Sequence, residues 1–302
     1  MAHQELLEGQ TLRGGGRLVD YSNLVKLPHT VFALPFAIVG ATLASYVAPI
    51  SLESIVWILL AFTSARFAAM GFNRVVDRSI DARNPRTRNR EIPAGKLTVR
   101  EAVISILAAS ALFLVSAGML NRICLVLAPF ALGWVFLYSY TKRFTRWSHL
   151  VLGFALAIAP AGAYMAVAGG WSDPPTALLA LAGAVICWVA GFDVLYSLQD
   201  EGFDRAQGLH SLPVALGAKG AIRLSRVLHV LCVLLFAASG LLFVGATGIY
   251  LAGVVMIAAM LTYEQSLVRV DDLSRIDAAF FNINGVISLV FCTAVIVERF
   301  LA

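Results

Sequence analysis

The chain has 302 residues, of which 59% are hydrophobic and only 14% are charged, and its mean hydropathy is +0.81. Soluble domains average about 45–50% apolar and about 25% charged residues, so this composition excludes an ordinary soluble domain, a disordered chain and a disulfide scaffold. The net charge of +5 does not by itself indicate nucleic acid as a partner, because basic residues also orient membrane proteins. We therefore expect a protein that crosses a membrane several times.

The first 17 residues are polar and glycine-rich, so we expect no cleaved signal peptide there. The four cysteines each lie alone in an apolar stretch, which is typical of small buried residues and not of a zinc or disulfide framework.

Nine stretches meet the requirement of about 20 mostly apolar residues for a spanning helix. The loops between them alternate between short and long, which places all the long loops on one side. We predict an all-α membrane protein with one domain over 1–302, a flexible tail over 1–22 and cap loops over 78–100 and 199–223. The predicted spans are 27–47, 52–77, 101–119, 121–140, 149–168, 176–198, 224–244, 247–266 and 278–298.

Charge fixes the predicted orientation of this bundle. Of the 23 lysines and arginines, 19 lie on the side of the long loops. The positive-inside rule then puts the N-terminus and the long loops in the cytoplasm and the C-terminus outside, in the cell (inner) membrane.

The second span ends in a stripe of oxygen-bearing side chains. Asn73, Asp77 and Asp81 follow each other at four-residue steps, which on a helix rise about 6 Å each and stay on one face. Arg66 extends the same stripe, roughly 10 Å deeper in the membrane.

The sixth span ends in a similar stripe made of Asp193, Tyr196, Asp200 and Asp204. One acidic residue at a helix end would be a solvated terminus, but two such helices ending on one membrane face indicate a site. The two motifs also correspond in spacing, since adding 123 takes Asn73 to Tyr196, Asp77 to Asp200 and Asp81 to Asp204. The sequence thus predicts two acidic clusters that face each other across the bundle.

Carboxylate and amide oxygens suit Mg²⁺, which usually shares its coordination shell with a substrate phosphate. Basic loops follow both motifs and would bind the same anion, whereas the phosphate loop of nucleotide-binding proteins is absent. Apolar walls around such a site fit a lipid tail. We therefore predict a magnesium-dependent site for an isoprenyl diphosphate.

The motifs resemble those of the UbiA-type intramembrane prenyltransferases. NRVVDRSID is similar to the family's NDxxDxxxD, with Arg74 where Asp is usual, and DVLYSLQDEGFD fits DxxYxxxDxxxD at every position. RTRNREIPAGKLT and YSYTKRFT resemble the family's loops after spans two and four. Arg74 lies one residue off the acidic stripe, so we expect the motif to keep its function.

The resemblance implies nine helices around a central cavity and transfer of a prenyl group from its diphosphate to an aromatic acceptor. It implies that Mg²⁺ is held by Asn73, Asp77, Asp81, Asp193, Asp200 and Asp204, with the catalytic acids being Asp77, Asp81, Asp200 and Asp204. Lys142 and Arg143 would bind phosphate, and Lys26 is a further candidate at the edge of the first span.

Tyr138 and Tyr196 are candidates for stabilising the allylic cation that forms when the diphosphate leaves. Arg66 has two interpretations: an ion pair with Glu264, or a clamp for the carboxylate of an aromatic acid. UbiA-like 4-hydroxybenzoate enzymes have an arginine at this distance before the first motif, which favours the clamp.

Two acceptors fit this resemblance. The first is a 4-hydroxybenzoate-type acid in ubiquinone or menaquinone biosynthesis, and the second is a dihydroxynaphthoate in the futalosine route to menaquinone. A different class of protein, a cation transporter with acids inside the membrane, would be expected to have inverted repeats and broken helices near mid-membrane. Here the acids cluster at one face instead.

Overall fold

A computed structural model describes residues 16–26, 30–244, 248–273, 275–276 and 282–302. The described residues form an all-helical protein, as predicted, with one isolated β-bridge between Arg269 and Asp272. The helices are α1 (Arg17–Leu24), α2 (Thr30–Ala44), α3 (Leu52–Arg83), α4 (Val99–Leu120), α5 (Arg122–Thr141), α6 (Ser148–Ala168), α7 (Pro175–Tyr196), α8 (Glu201–Ala206), α9 (Leu212–Val244), α10 (Gly248–Leu267) and α11 (Asn284–Leu301).

Among the described residues, eight helical stretches are long and apolar enough to cross a membrane, which confirms a multi-pass protein. They lie in α3, α4, α5, α6, α7 with α8, α9, α10 and α11. The first predicted span, 27–47, corresponds to α2, which has only 15 residues and follows residues outside the described part of the chain. The count of nine spans and the cytoplasmic position of the N-terminus therefore stay predictions.

Local signals set several helix ends. The Ser51 hydroxyl caps α3 by accepting from the Ser54 backbone N–H at 3.0 Å, and Thr98 with Glu101 forms a capping box at the start of α4. Gly217, with φ 68°, interrupts α9 after its first turn, so α9 begins well before the predicted span at 224.

The core is centred on α7. In its most apolar stretch 67% of the residues are buried, whereas in that of α4 only 17% are. Trp188 of α7 lies among Phe36, Phe236 and Phe291, all of them fully enclosed. The cysteines are free, as predicted; Cys232 and Cys292 are buried, whereas Cys124 and Cys187 are only half-buried.

Two glycines permit the close approach of backbones around this core. A Cβ on Gly40 of α2 would lie 2.0 Å from the Pro160 carbonyl oxygen of α6, and one on Gly153 of α6 would lie 2.6 Å from the Ile186 carbonyl oxygen of α7. These contacts hold α2, α6 and α7 together, and α3, α5 and α7 all end at the same face of the bundle.

Candidate active site

The first acidic motif lies at the end of α3, on one face as predicted. Asn73 Nδ2 donates to Asp77 Oδ2 at 2.9 Å, which joins two consecutive members of the stripe. Asp81 is buried, and its Oδ1 accepts from Arg90 Nη1 at 2.6 Å. The α-helix of 32 residues therefore carries the motif beyond the apolar part of the span.

The second motif does not lie on one regular helix, and that expectation was wrong. The α-helix ends at Tyr196, a 3₁₀ turn covers Ser197–Asp200, and α8 begins at Glu201. A 3₁₀ turn is tighter than an α-helix, so the four-residue spacing no longer keeps the side chains in one straight row. Asp200 and Asp204 nevertheless point into the protein and are only 8% and 3% exposed.

The loop after the first motif crosses to the second motif. Arg86 donates from Nε and Nη2 to the two oxygens of Asp200, at 2.9 and 2.5 Å, and from Nη1 to the Tyr196 hydroxyl at 3.1 Å. Asn84 Nδ2 also donates to Asp200 Oδ1, at 3.2 Å. Residues of the first loop therefore connect the end of α3 with the second acidic motif.

A second bridge comes from the turn between α5 and α6. Lys142 Nζ donates to Asp204 Oδ2 at 3.2 Å, while Arg143 Nη2 donates to Asp77 Oδ1 at 3.1 Å. Burial lowers the pKa of the Lys142 ammonium, but the carboxylates of Asp204, Asp200 and Asp193 together outweigh it, and the net shift is upward. Two adjacent cations thus each hold one carboxylate, and the carboxylates belong to different motifs.

Asp193, the first residue of the second motif, has a partner that no sequence pattern marks. His149 at the start of α6 is fully buried, and its Nδ1 lies 2.7 Å from Asp193 Oδ2. Its Nε2 accepts from the Leu212 backbone N–H at 3.4 Å, so the proton of a neutral imidazole lies on Nδ1, which donates to Asp193. His149 therefore ties Asp193 to the start of α9.

The UbiA prenyltransferase family model matches residues 33–286 of the chain. The chain belongs to the UbiA prenyltransferase family. Membership makes the protein an enzyme, a prenyltransferase, and confirms the resemblance that the two motifs carry.

Two curated relatives of this UbiA family member match it over most of their own length. The 4-hydroxybenzoate octaprenyltransferase of Nitrosospira multiformis is 28% identical over 287 residues, covering 93% of this chain and 96% of the relative. A protein of the same name from Edwardsiella ictaluri is 31% identical over 249 residues, which covers 78% of this chain and 81% of the relative.

Solved structures of UbiA homologues have the same fold. The apo structure of a homologue from Aeropyrum pernix K1 has a TM-score of 0.81 and 34% identity, and the match covers 89% of this chain and 98% of that one. A homologue from Archaeoglobus fulgidus, solved with DMAPP and Mg²⁺, has a TM-score of 0.70 at 21% identity over 94% of this chain and 100% of that one.

Arg74, the departure from the usual UbiA motif, is held by a contact with α1. It is 3% exposed, and its Nε donates to the Leu24 carbonyl oxygen of α1 at 3.3 Å. Glu91 of the first cap loop is 1% exposed and lies close enough to Arg74 for electrostatic interaction. Burial raises the pKa of the Glu91 carboxyl, and Arg74 is among the cations that oppose this shift. Arg74 therefore connects α3 with α1 and the cap loop.

The donor chemistry of this UbiA site fits Mg²⁺, although the acids are paired with cations. Among the described residues, no three histidine, cysteine or acidic side chains converge as a metal cluster. Asp81 Oδ2 is buried and has no hydrogen-bond partner within the same part of the chain. A buried carboxylate oxygen without a donor is costly, and a cation would satisfy it.

The remaining predicted residues lie on α3, α5 and α7 and just after α1. Arg66 and Tyr138 are half-buried, on α3 and α5 respectively. Tyr196 is half-buried, and the Arg86 guanidinium lies 5.3 Å from the centre of its ring. Lys26 follows α1 at a positive φ of 47°. Glu264, the alternative partner for Arg66, accepts from Asn284 Nδ2 at 3.1 Å.

Sequence reasoning missed the individual partners Asn84, Arg86, Arg90 and His149. A signal existed for the first three, because they lie in or beside the loop that resembles other family members. No local pattern marks His149, since its partners are 44 and 63 residues away.

Proposed function

We propose that the protein transfers a polyprenyl group from a polyprenyl diphosphate to a 4-hydroxybenzoate-type aromatic acid in quinone biosynthesis. The observation that carries this proposal is the pairing of Lys142 with Asp204 and of Arg143 with Asp77, which brings both acidic motifs against one basic turn. The names of the curated relatives support the acceptor, and the predicted orientation places the reaction at the cytoplasmic face of the inner membrane.

Diphosphate binding follows from how the acids are paired. The metal set we propose is Asn73, Asp77 and Asp81 from the first motif with Asp193, Asp200 and Asp204 from the second. When bound, Mg²⁺ supplies positive charge that stabilises the departing diphosphate. When the diphosphate binds, the cations that pair with these carboxylates would bind phosphate oxygens instead. These cations are Arg86, Arg90, Lys142 and Arg143, and an arginine can bind phosphate in the same bidentate way as carboxylate.

In this proposal the cations have a negatively charged partner both with and without substrate. Without substrate, each cation neutralises a buried or half-buried carboxylate, because an isolated buried charge is expensive. With substrate, the same cations stabilise the negative charge that grows as the bond between the prenyl carbon and the diphosphate oxygen breaks.

The prenyl group is left as an allylic cation, which must be kept from water until a ring carbon of the acceptor attacks it and that carbon loses its proton to a base. Apolar walls exclude water, and the rings of Tyr138 and Tyr196 stabilise the cation through their electron-rich faces. Lys26 contributes a further positive charge near the phosphate. We assign Arg66 to the acceptor, whose carboxylate its guanidinium would bind in bidentate fashion deeper in the bundle.

The test is a transfer assay in membranes containing the wild type or Asp77→Ala. Each is incubated with Mg²⁺, a radiolabelled long-chain polyprenyl diphosphate and either 4-hydroxybenzoate or a dihydroxynaphthoate. We expect labelled prenyl-4-hydroxybenzoate from the wild type alone. If product forms only with the naphthoate, the acceptor is a dihydroxynaphthoate and not 4-hydroxybenzoate. If neither acid gives a product that depends on Asp77, the proposed reaction is rejected.

A further inference from the structure

A groove with a basic lining lies apart from the acidic motifs, between α9 and the segment after α10. Its volume is about 280 Å³. The Arg269–Asp272 turn, closed by backbone hydrogen bonds of 3.2 Å in both directions, forms one wall. The groove is lined by Lys219, Ile222, Arg223, Arg226, Val268, Arg269, Val270 and Asp271. We call it the basic groove.

The basic groove is linked to the second motif by a shared apolar cluster. Ile222 and Val268 belong to a buried apolar cluster that includes Val194, Leu195 and Leu198. Those three side chains come from α7 and its 3₁₀ turn, the same stretch that carries the second-motif acids. The four cations of the groove are not the cations that pair with the motif carboxylates, so it is a separate site.

Its charges are largely unbalanced. Four cations line the groove against one carboxylate, Asp271, which lies 3.9 Å from Arg269. That pair is 74% and 83% exposed, so it is worth little. Within the described ranges, Lys219, Arg223 and Arg226 form no salt bridge with an acidic side chain. An anion would therefore be attracted by a net positive charge.

The surface of α9 next to these cations is apolar and exposed. Lys219, Arg223 and Arg226 occupy one face at steps of four and three residues. Over the next two turns of α9, Val227, Val230 and Leu234 are 55%, 61% and 60% exposed. In a helix that crosses a membrane, such side chains face lipid tails.

We propose that the basic groove binds the headgroup phosphate of an anionic phospholipid, with its acyl chains lying along Val227, Val230 and Leu234. A soluble phosphate would satisfy the cations but would leave the apolar continuation unused. A lipid matches both halves of the surface, and basic pockets at the cytoplasmic ends of helices are known lipid-headgroup sites.

The competing explanation is that these cations only orient the protein, which requires their charge but no particular location. The double variant Arg223→Gln/Arg226→Gln removes two cations from the groove. Its matched control, Arg100→Gln/Arg146→Gln, removes two exposed cations from the same side of the protein. A third variant, Arg223→Lys/Arg226→Lys, keeps the charge.

Binding of phosphatidylglycerol and phosphatidylcholine to the purified full-length chain is measured by native mass spectrometry. We expect the glutamine variant to bind phosphatidylglycerol about 30-fold more weakly than the wild type, converted from about 1 kcal/mol for each cation. The control should match the wild type, and the lysine variant should retain most of the affinity.

Three results would overturn the proposal. The first is equal weakening in the glutamine variant and its control, and the second is a wild type without preference for phosphatidylglycerol. The third is displacement of the lipid by inorganic phosphate at an equal concentration, which would make the groove a site for soluble anions.

Discussion

Arg86 and Asp200 form a two-point contact across 114 residues of sequence, with Nε and Nη2 of the arginine each donating to one carboxylate oxygen. The contact fastens the loop that follows the first acidic motif onto the second motif. Because both partners are mostly buried, at 18% and 11% side-chain exposure, it is stronger than a surface pair. The first cap loop and the second motif are thus joined by groups that we propose bind the substrate.

Arg86→Lys tests whether this contact serves the reaction. Lysine keeps the charge but loses the planar two-point geometry, so we expect kcat/KM for the prenyl diphosphate to fall about 10- to 100-fold, equivalent to about 1.5–3 kcal/mol. Arg88→Lys, an exposed position on the same loop, should leave kcat/KM unchanged. Equal kinetics for both variants would mean that the contact is only structural.

Lys142→Gln and Arg143→Gln test the basic turn. Each substitution removes one cation from the proposed diphosphate site, so we expect KM for the prenyl diphosphate to rise about tenfold, with KM for the acceptor unchanged. Arg146→Gln, a few residues further along, is the control. A rise in the acceptor KM alone would contradict the assignment of these side chains to phosphate.

His149 is expected to act by positioning Asp193. His149→Asn keeps an N–H near the position of Nδ1, whereas His149→Ala removes it. Partners of metal ligands typically contribute 10- to 100-fold to metal affinity. The Mg²⁺ concentration for half-maximal rate should therefore rise by about that factor in the alanine variant and much less in the asparagine variant. If both variants keep the Mg²⁺ dependence of the wild type, His149 does not position a metal ligand.

Arg66→Ala tests the acceptor clamp. Loss of a two-point contact with the acceptor carboxylate should raise the acceptor KM at least tenfold and leave KM for the prenyl diphosphate unchanged. Melting temperature in detergent provides the check on folding. An unchanged acceptor KM in a folded variant would refute the clamp.

Gly40→Ala tests the crossing of α2 and α6. The new Cβ would overlap the Pro160 carbonyl oxygen, so we expect a loss of about 1–3 kcal/mol in the free energy of unfolding. Gly133→Ala on α5 has open space around its Cβ and should be neutral or stabilising by up to about 1 kcal/mol. Equal unfolding free energies for the two variants would mean that the helices separate at no cost.

Much of this fold could be predicted from the sequence, because long apolar stretches have few alternatives in a membrane. The shared helix face of Asp77 and Asp81 was also predictable, because their four-residue spacing keeps them on one face of the helix that continues to Arg83. The position of Asp200 was harder to predict, since nothing in the residue spacing distinguishes a 3₁₀ turn from another turn of α-helix. The break at Gly217 also depends on one backbone angle that an apolar pattern does not encode.

The part of the site that could not be predicted from the sequence consists of contacts between residues far apart in the chain. Arg86 and His149 find partners only once helices and loops are packed, so their roles are invisible to local periodicity. The sequence predicted that cations and carboxylates meet in this region, and the structure supplies which cation holds which carboxylate.

The central claim is that carboxylates of both motifs bind Mg²⁺ together with the diphosphate. The most direct measurement is the rate of prenyl transfer as a function of Mg²⁺ for the wild type, Asp77→Asn and Asp200→Asn, with Glu53→Gln as an exposed control at the other end of α3. We predict no transfer in excess EDTA, a loss of at least 100-fold in each asparagine variant, and an unchanged control. Transfer that persists in EDTA, or wild-type rates in either asparagine variant, would contradict the claim.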